Sequence, residues 1–225
     1  MTAVWAFDLD NTLYPAECGL FREVDRRIRR FMAERVGIPP AEIPGLRAEY
    51  KRRYGVTLGG LLAHHGVDPE EYLAYVHDVP VERYLQPDPS LAESLEALPG
   101  ERVIFTNGSV GHTRRVLEAL GVAPLFSAVF DIAFMGYVPK PRPQGYERLL
   151  RALAVAPSRC ILVDDLPENL ATAKALGMRT VGVGPAGPRD GHPWVASPRE
   201  LPRVWEQVLG DGGSPEPSPP TGQPG

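Results

Sequence analysis

The chain has 225 residues, 43% of them apolar, which is enough to build a sizeable core. Its net charge of −4 gives no broad attraction to a nucleic-acid polymer or an anionic membrane. No apolar run approaches the roughly 18 residues of a membrane span, Asp8 and Asp10 interrupt the only apolar stretch near the N-terminus, and the two distant cysteines, Cys18 and Cys160, fit a reduced, cytoplasmic protein.

The first predicted element is a strand over Val4–Leu9. It runs into Asp8-Leu9-Asp10-Asn11-Thr12, and side chains two apart on a strand share a face. Two carboxylates that close together are costly unless a cation neutralises them, and hard oxygen ligands favour Mg²⁺. More than ninety residues then pass with almost no strand signal. Phe21, Val24, Ile28 and Phe31 make an apolar helical stripe flanked by Arg22, Arg26, Arg27, Arg29 and Arg30, and further helices are expected over Ala41–Tyr54, Leu58–His65 and Glu70–His77, with breaks at Pro39-Pro40, Gly55 and Gly66. A crossover needs only about a dozen residues, so residues 16–85 read as a helical lid over the carboxyl ends of the sheet, where open α/β folds bind ligands.

The strand pattern resumes at Val103–Thr106 and ends in Thr106-Asn107-Gly108-Ser109, a hydroxyl, an amide and a glycine whose backbone donors can cradle an anion. A helix over His112–Leu120 stops at Gly121, and a weaker strand follows at Ala128–Ile132. Lys140 sits in Val138-Pro139-Lys140-Pro141-Arg142-Pro143, where prolines stiffen the loop and direct the ammonium. It is one of only three lysines, beside Lys51 and Lys174. A helix over Gln144–Leu153 leads to a strand at Cys160–Val163 that ends in a second acidic pair, Asp164-Asp165. The helix over Glu168–Leu176 ends at Gly177, a last strand covers Thr180–Val183, and Ser197-Pro198-Arg199-Glu200 opens a final helix to about Leu209.

Strands alternating with helices make an α/β core with a doubly wound, Rossmann-like parallel sheet. The core is expected over residues 1–15 and 86–209, the helical lid over 16–85, and a disordered Pro/Gly/Ser-rich tail over 210–225.

Taken singly, each polar cluster has an ordinary explanation: a chance D-x-D, a turn, a polyproline ligand, a helix N-cap. Their joint order after successive strands resembles the haloacid dehalogenase superfamily of aspartate-nucleophile phosphotransferases, subclass I with a helical cap. D-L-D-N-T-L stands for its first motif, T-N-G for the second, Lys140 for the third and Asp164-Asp165 for the fourth. Within it, D-L-D-N-T-L-Y-P, Tyr54-Gly55-Val56-Thr57-Leu58 and the H-D-V-P at His77–Pro80 resemble the pyrimidine 5′-nucleotidase branch.

The resemblance implies a Mg²⁺-dependent phosphatase acting on a small phosphorylated metabolite, a nucleoside 5′-monophosphate above all, with no nucleic-acid or membrane partner and as a monomer or weak dimer. Asp8 would be the nucleophile and Asp10 the general acid and base. Asp8, the Asp10 backbone carbonyl and Asp165 would hold the metal, with Asp164 in its outer shell. Thr106, Asn107, Gly108 and Lys140 would bind the phosphoryl group. Asn169 is expected to support the Asp164-Asp165 loop. In the lid, Arg22, Arg26, Tyr54, His64, His65 and His77 are available, but none is assigned to substrate.

Two other readings are weighed. A receiver domain carries its acidic pair after the first strand, the reverse of the order here, and a carbon–halogen hydrolase needs neither Asp10 nor the second acidic pair. A phosphatase for another small metabolite, or a phosphomutase, uses the same groups and stays open.

Overall fold

The apolar runs become strands because helices cover both faces of the sheet they form. The computed structural model describes residues 3–185, 187 and 191–210. Strand β1 (Val4–Phe7) is buried throughout, with Trp5 and Phe7 in one apolar cluster beside Ile104, Ile161 and Val181, and Val4 and Ala6 in the other beside Val103, Phe105 and Leu162.

After β1 the chain makes four helices, α1 (Leu20–Glu34), α2 (Ile43–Tyr54), α3 (Thr57–His65) and α4 (Pro69–Val76), before α5 (Pro89–Glu96) and β2 (Glu101–Phe105). Then come α6 (Val110–Leu120), β3 (Ala128–Phe130), α7 (Pro143–Leu153), β4 (Cys160–Asp164), α8 (Pro167–Ala175), β5 (Arg179–Val183), β6 (Trp194–Val195) and α9 (Trp205–Gly210). All strand pairs are parallel, in the order β3-β2-β1-β4-β5-β6. Phe7 therefore lies opposite Ile104 on one side and Val163 on the other. This is a switch point, where neighbouring connections leave in opposite directions and a crevice opens beyond the strand ends.

Local chemistry explains the boundaries. Ser109 caps α6 by accepting from His112 N, and Gly121 closes it with φ +73°, a left-handed geometry that favours glycine. In α1, Leu20, Val24, Phe31 and Met32 are buried, while Arg26, Arg29 and Arg30 pair with Glu23, Asp25 and Glu34 on the outer side. Helix α5 escaped the sequence reading, although Asp88 accepting from Leu91 N and Pro89 at the first position are a regular helix start. Strand β6 has two residues, too few for any period. The last helix begins as a 3-10 turn over Pro198–Arg203, where Pro202 has no N–H to donate. Gly210 ends α9, and the rest of the expected tail, 211–225, lies outside the described residues.

Both ends of the long helical interruption are tied to the main core. Leu20 and Val24 of α1, and Val79, Val81 and Leu85 after α4, join the cluster of Trp5 and Phe7. Between them, α1–α4 pack through Phe31, Ile43, Tyr50, Leu61 and Tyr72. Helices α2 and α3 approach so closely that a Cβ on Gly60 would stand 2.0 Å from Tyr50 Cγ. Among the described residues no helix is long and apolar enough to cross a membrane.

The close approach at Gly60 gives a stability test. Replacing glycine by alanine inside a helix gains about 1 kcal/mol of propensity, but overpacking typically costs about 1–3 kcal/mol. Gly60→Ala is expected to lower stability in denaturant unfolding, and an unchanged midpoint would contradict the packing described.

Candidate active site

Neighbouring strands end in reactive side chains at one edge of the sheet. Asp8 follows β1, Thr106 follows β2 and Asp164 closes β4, so the strand order alone gathers them. The Asp8 N–H donates to Val163 O at 2.8 Å, which extends the β1–β4 ladder and holds this aspartate at the strand tip.

Lys140 joins them from a loop. Its Nζ donates to Asp8 Oδ1 at 2.8 Å, Asp164 Oδ2 at 2.7 Å and Phe105 O at 2.8 Å, and the residue is 1% exposed. Every ammonium proton thus has an acceptor. Asn107 holds the loop in register: Lys140 N donates to Asn107 Oδ1 at 2.8 Å, and Asn107 Nδ2 donates to Lys140 O at 3.1 Å. Expected in the phosphate loop, Asn107 has its side chain committed to the lysine, which leaves its main-chain N–H for an anion. The Thr106 hydroxyl accepts from Gly108 N at 3.0 Å, folding the loop tightly at the end of β2.

The second acidic pair divides into two environments. Asp164 is fully buried and accepts from Leu166 N at 2.9 Å and from Asn169 Nδ2 at 2.9 and 3.0 Å, besides Lys140. Asp165 is less enclosed, and Thr12 Oγ1 donates to it at 3.4 Å.

Burial pushes Asp8 well above the usual carboxylate range, against the pull of Lys140 and with the help of Asp164 and Asp165. Asp165 is pushed up to about 7, by burial first and by Asp164 next. Burial would lower Lys140, yet Asp164 and Asp8 outweigh it and hold the ammonium charged. Three carboxylates facing one ammonium are short of two positive charges.

Ligand atoms of Asp8, Asp164 and Asp165 lie within 4.8 Å of one another. Hard carboxylate oxygens, that spacing and the charge shortfall fit one Mg²⁺. Because Asp164 is occupied by its own donors, the more open Asp165 suits direct ligation better.

Asp10 stands apart from this cluster. Its Oδ1 accepts from the Tyr14 hydroxyl and from His112 Nε2, the latter at 3.2 Å. Burial pushes its carboxyl upward, but His112 and Tyr14 outweigh that, and the net shift is downward. His77 stacks on His112 with ring centroids 4.5 Å apart, and its own proton affinity is lowered to about 3 by burial and by His112. Neither Tyr14 nor His112 was singled out from the sequence: His112 reads there as one residue of an amphipathic helix, and its partner is 102 positions away.

A cavity of about 870 Å³ opens over these groups. Asp8, Asp10, Thr106 and Lys140 line one side, and Phe21, Val24, Lys51, Val56 and Tyr72 from the helical segment line the other. The helical segment also seats on the lysine loop: Arg142 Nη2 donates to Arg53 O at 2.5 Å, and a Cβ on Gly55 would lie 3.0 Å from Pro139 Cγ. Of the polar lid residues noted in the sequence, His77 lines the cavity. Arg26 instead pairs with Glu23, His64 with the Tyr54 hydroxyl, and His65 with the Tyr50 hydroxyl.

Residues 3–177 match the family described as haloacid dehalogenase-like hydrolase. The chain is 26% identical over 190 residues to phosphate metabolism protein 8 of Saccharomyces cerevisiae, a match covering 78% of this chain and 59% of that protein. It is 36% identical over 105 residues to enolase-phosphatase E1 of Frankia alni, 44% of each. These matches span about three fifths and under half of those relatives' lengths. The fold is similar to the crystal structure of a HAD phosphatase from Thermococcus onnurineus, with a TM-score of 0.60, 22% identity, and 93% and 98% of the two chains covered.

The raised carboxyls make stability, and the hold on any Mg²⁺ bound there, depend on pH in a defined sense. A group whose folded pKa exceeds its unfolded one loses its stabilising contribution as pH rises through the folded value, so without metal Asp165 weakens the fold between about pH 4 and about 7. His77, shifted down to about 3, acts in the opposite sense up to about its unfolded value of 6.5. Only the carboxylate part responds to Mg²⁺. The gain in thermal midpoint on adding Mg²⁺ over chelator is therefore expected to be larger at about pH 8 than at about pH 5, and an equal or reversed gain would contradict the assignment.

Proposed function

The chain belongs to the haloacid dehalogenase-like hydrolases, and from that premise we propose that it is a Mg²⁺-dependent phosphatase that hydrolyses small phosphomonoesters through an aspartyl-phosphate. The observation that carries this reading is the pair of differently equipped carboxylates facing one cavity: Asp8 on the Lys140 ammonium, Asp10 on His112 and Tyr14. Displacing a halide needs no second carboxylate, whereas releasing an alkoxide needs an acid at the leaving oxygen.

In this reading an Asp8 oxygen attacks phosphorus while the bond from phosphorus to the leaving oxygen breaks, and Asp10 gives its proton to that oxygen. His112 and Tyr14 favour the anionic form of Asp10, and a phosphate dianion beside it would restore proton affinity by adding negative charge. Asp10 then takes a proton from water, whose oxygen attacks phosphorus and frees Asp8. Lys140, Thr106 and the main-chain N–H groups of Asn107 and Gly108 would hold the phosphoryl oxygens, with the Gly108 donor released from Thr106 and one Lys140 proton released from its present acceptor as substrate enters. The Asp8 and Asp165 carboxylates and the Asp10 carbonyl would bind Mg²⁺, with Asp164 behind them, and when bound the ion supplies the positive charge that lets an anionic nucleophile approach an anionic ester.

The substrate we favour is a nucleoside 5′-monophosphate, pyrimidine before purine. A cavity of about 870 Å³ is far larger than a phosphoryl group needs, and its wall of Phe21, Val24, Val56 and Tyr72 suits a leaving group with a broad apolar face. The work would be done in a reducing cytoplasm, consistent with the free Cys18 and Cys160.

Phosphate release in Mg²⁺ from uridine, cytidine and purine monophosphates, sugar phosphates and phosphoglycolate tests this assignment. The pyrimidine nucleotides are expected to give the highest kcat/KM, and a ranking that leaves nucleotides at background while another ester turns over would remove the nucleotide preference. Asp8→Asn is expected to cut turnover by a factor on the order of 10³ or more, and an active variant would sink the nucleophile assignment.

A further inference from the structure

The Asp10 carboxylate is held in one orientation by two buried side chains. Both donors converge on Oδ1, namely Tyr14 from the same turn of chain and His112 from the first turn of α6. The other oxygen, Oδ2, lies on the side of the phosphate loop, 3.9 Å from where a Cβ on Gly108 would stand. One oxygen is thus anchored, and the one nearer the phosphoryl site remains for proton transfer.

The His112 ring is itself fixed. It is 1% exposed, and its Nδ1 is buried without a hydrogen-bond partner among the described residues, which places the proton for donation on Nε2. His77 lies flat against the ring at an interplanar angle of 11°. Ser109 links the two, since its hydroxyl pairs with His77 Nδ1 at 2.9 Å and accepts from His112 N at 3.3 Å. Arg115 of α6 donates to the main-chain oxygens of His77 and Val79, fastening the segment that leaves α4 onto α6. The ring that orients Asp10 is therefore backed on one face by the segment returning from the helical part.

We propose that His112 is a positioning residue for the acid–base step: by donating to Oδ1 it keeps Oδ2 of Asp10 turned to the leaving oxygen, with Tyr14 as its co-anchor. This rests on the phosphatase reading above. A carboxylate that swings about its Cβ–Cγ bond still carries the proton but delivers it badly. In kcat/KM, which reads the chemistry up to departure of the leaving group and not the later attack of water, the loss should fall on esters whose leaving group must be protonated and spare those whose leaving group departs as a stable anion.

The test compares His112→Asn and His112→Gln with the parent enzyme in Mg²⁺, on uridine 5′-monophosphate and on p-nitrophenyl phosphate. Glutamine places an amide N–H near the position of Nε2, whereas asparagine stops short of it. His112→Asn is expected to lower kcat/KM on the nucleotide about 100-fold through kcat with KM little changed, and to change the aryl ester by about threefold or less. His112→Gln should recover most of the nucleotide activity. Tyr14→Phe keeps the ring and removes only the second donor, so it should show the same ester-selective loss in smaller measure even where a His112 variant fails to fold. Equal losses on the two esters, or a glutamine variant as impaired as the asparagine one, would overturn the positioning role while leaving a phosphatase. If uridine 5′-monophosphate is not turned over, the alkyl ester ranked first in the screen above takes its place, and a parent enzyme that releases phosphate from none of the esters tested removes the phosphatase reading and this inference with it.

Discussion

The ammonium of Lys140, shut away from water between Asp8 and Asp164, is the contact on which the site depends. Two carboxylates at adjacent strand tips would repel in a region of low dielectric, and removing one partner of a buried ion pair typically costs about 3–5 kcal/mol. The parallel sheet creates the problem by setting β1 between β2 and β4, so that the ends of all three strands converge. A single lysine relieves part of it, and only if its position is tightly controlled. That control comes from Asn107, which binds the lysine's own backbone, and from the Phe105 carbonyl, which takes the third proton. The end of β2 thus holds the residue that bridges the ends of β1 and β4.

A different logic governs Asp10. It is held by the Tyr14 hydroxyl and the His112 ring rather than by a lysine, so its proton affinity can respond to what enters the cavity. Two carboxylates two residues apart on one chain therefore have opposite settings: one is pinned on a permanent charge and the other is tuned by hydrogen bonds. This separation suits the proposed nucleophile and proton carrier once a cation offsets the burial that raises Asp8.

Much of this was legible in the sequence because it is locally written. Asp8, Thr106 and Asp164 each follow an apolar run, and in a parallel sheet such positions converge whatever the intervening segments do. Lys140 announced itself by its proline frame and its rarity. What escaped is held by contacts distant in sequence or by short elements. His112 meets Asp10 across 102 residues, and nothing in the pattern of α6 marks one inward histidine above Val116 or Leu120. The side chain of Asn107 was expected near phosphate because its neighbours are, and only the fold shows it turned to the lysine loop. Strand β6 is too short to have a period, and α5 needed its Asp88-Pro89 start to be weighed against the weak pattern that follows.

Gly55 carries a consequence for anyone exchanging parts between relatives. Its φ of +85° and its contact with Pro139 let the α2–α3 corner rest directly on the loop that bears Lys140. The region facing the leaving group and the residue neutralising the chemistry therefore share one seat. A helical segment transplanted from another chain would need a corner of matching shape. A bulkier residue there would tilt the donor helices and press on the ammonium's loop together, so that a swap intended to alter selectivity would reach the reaction itself.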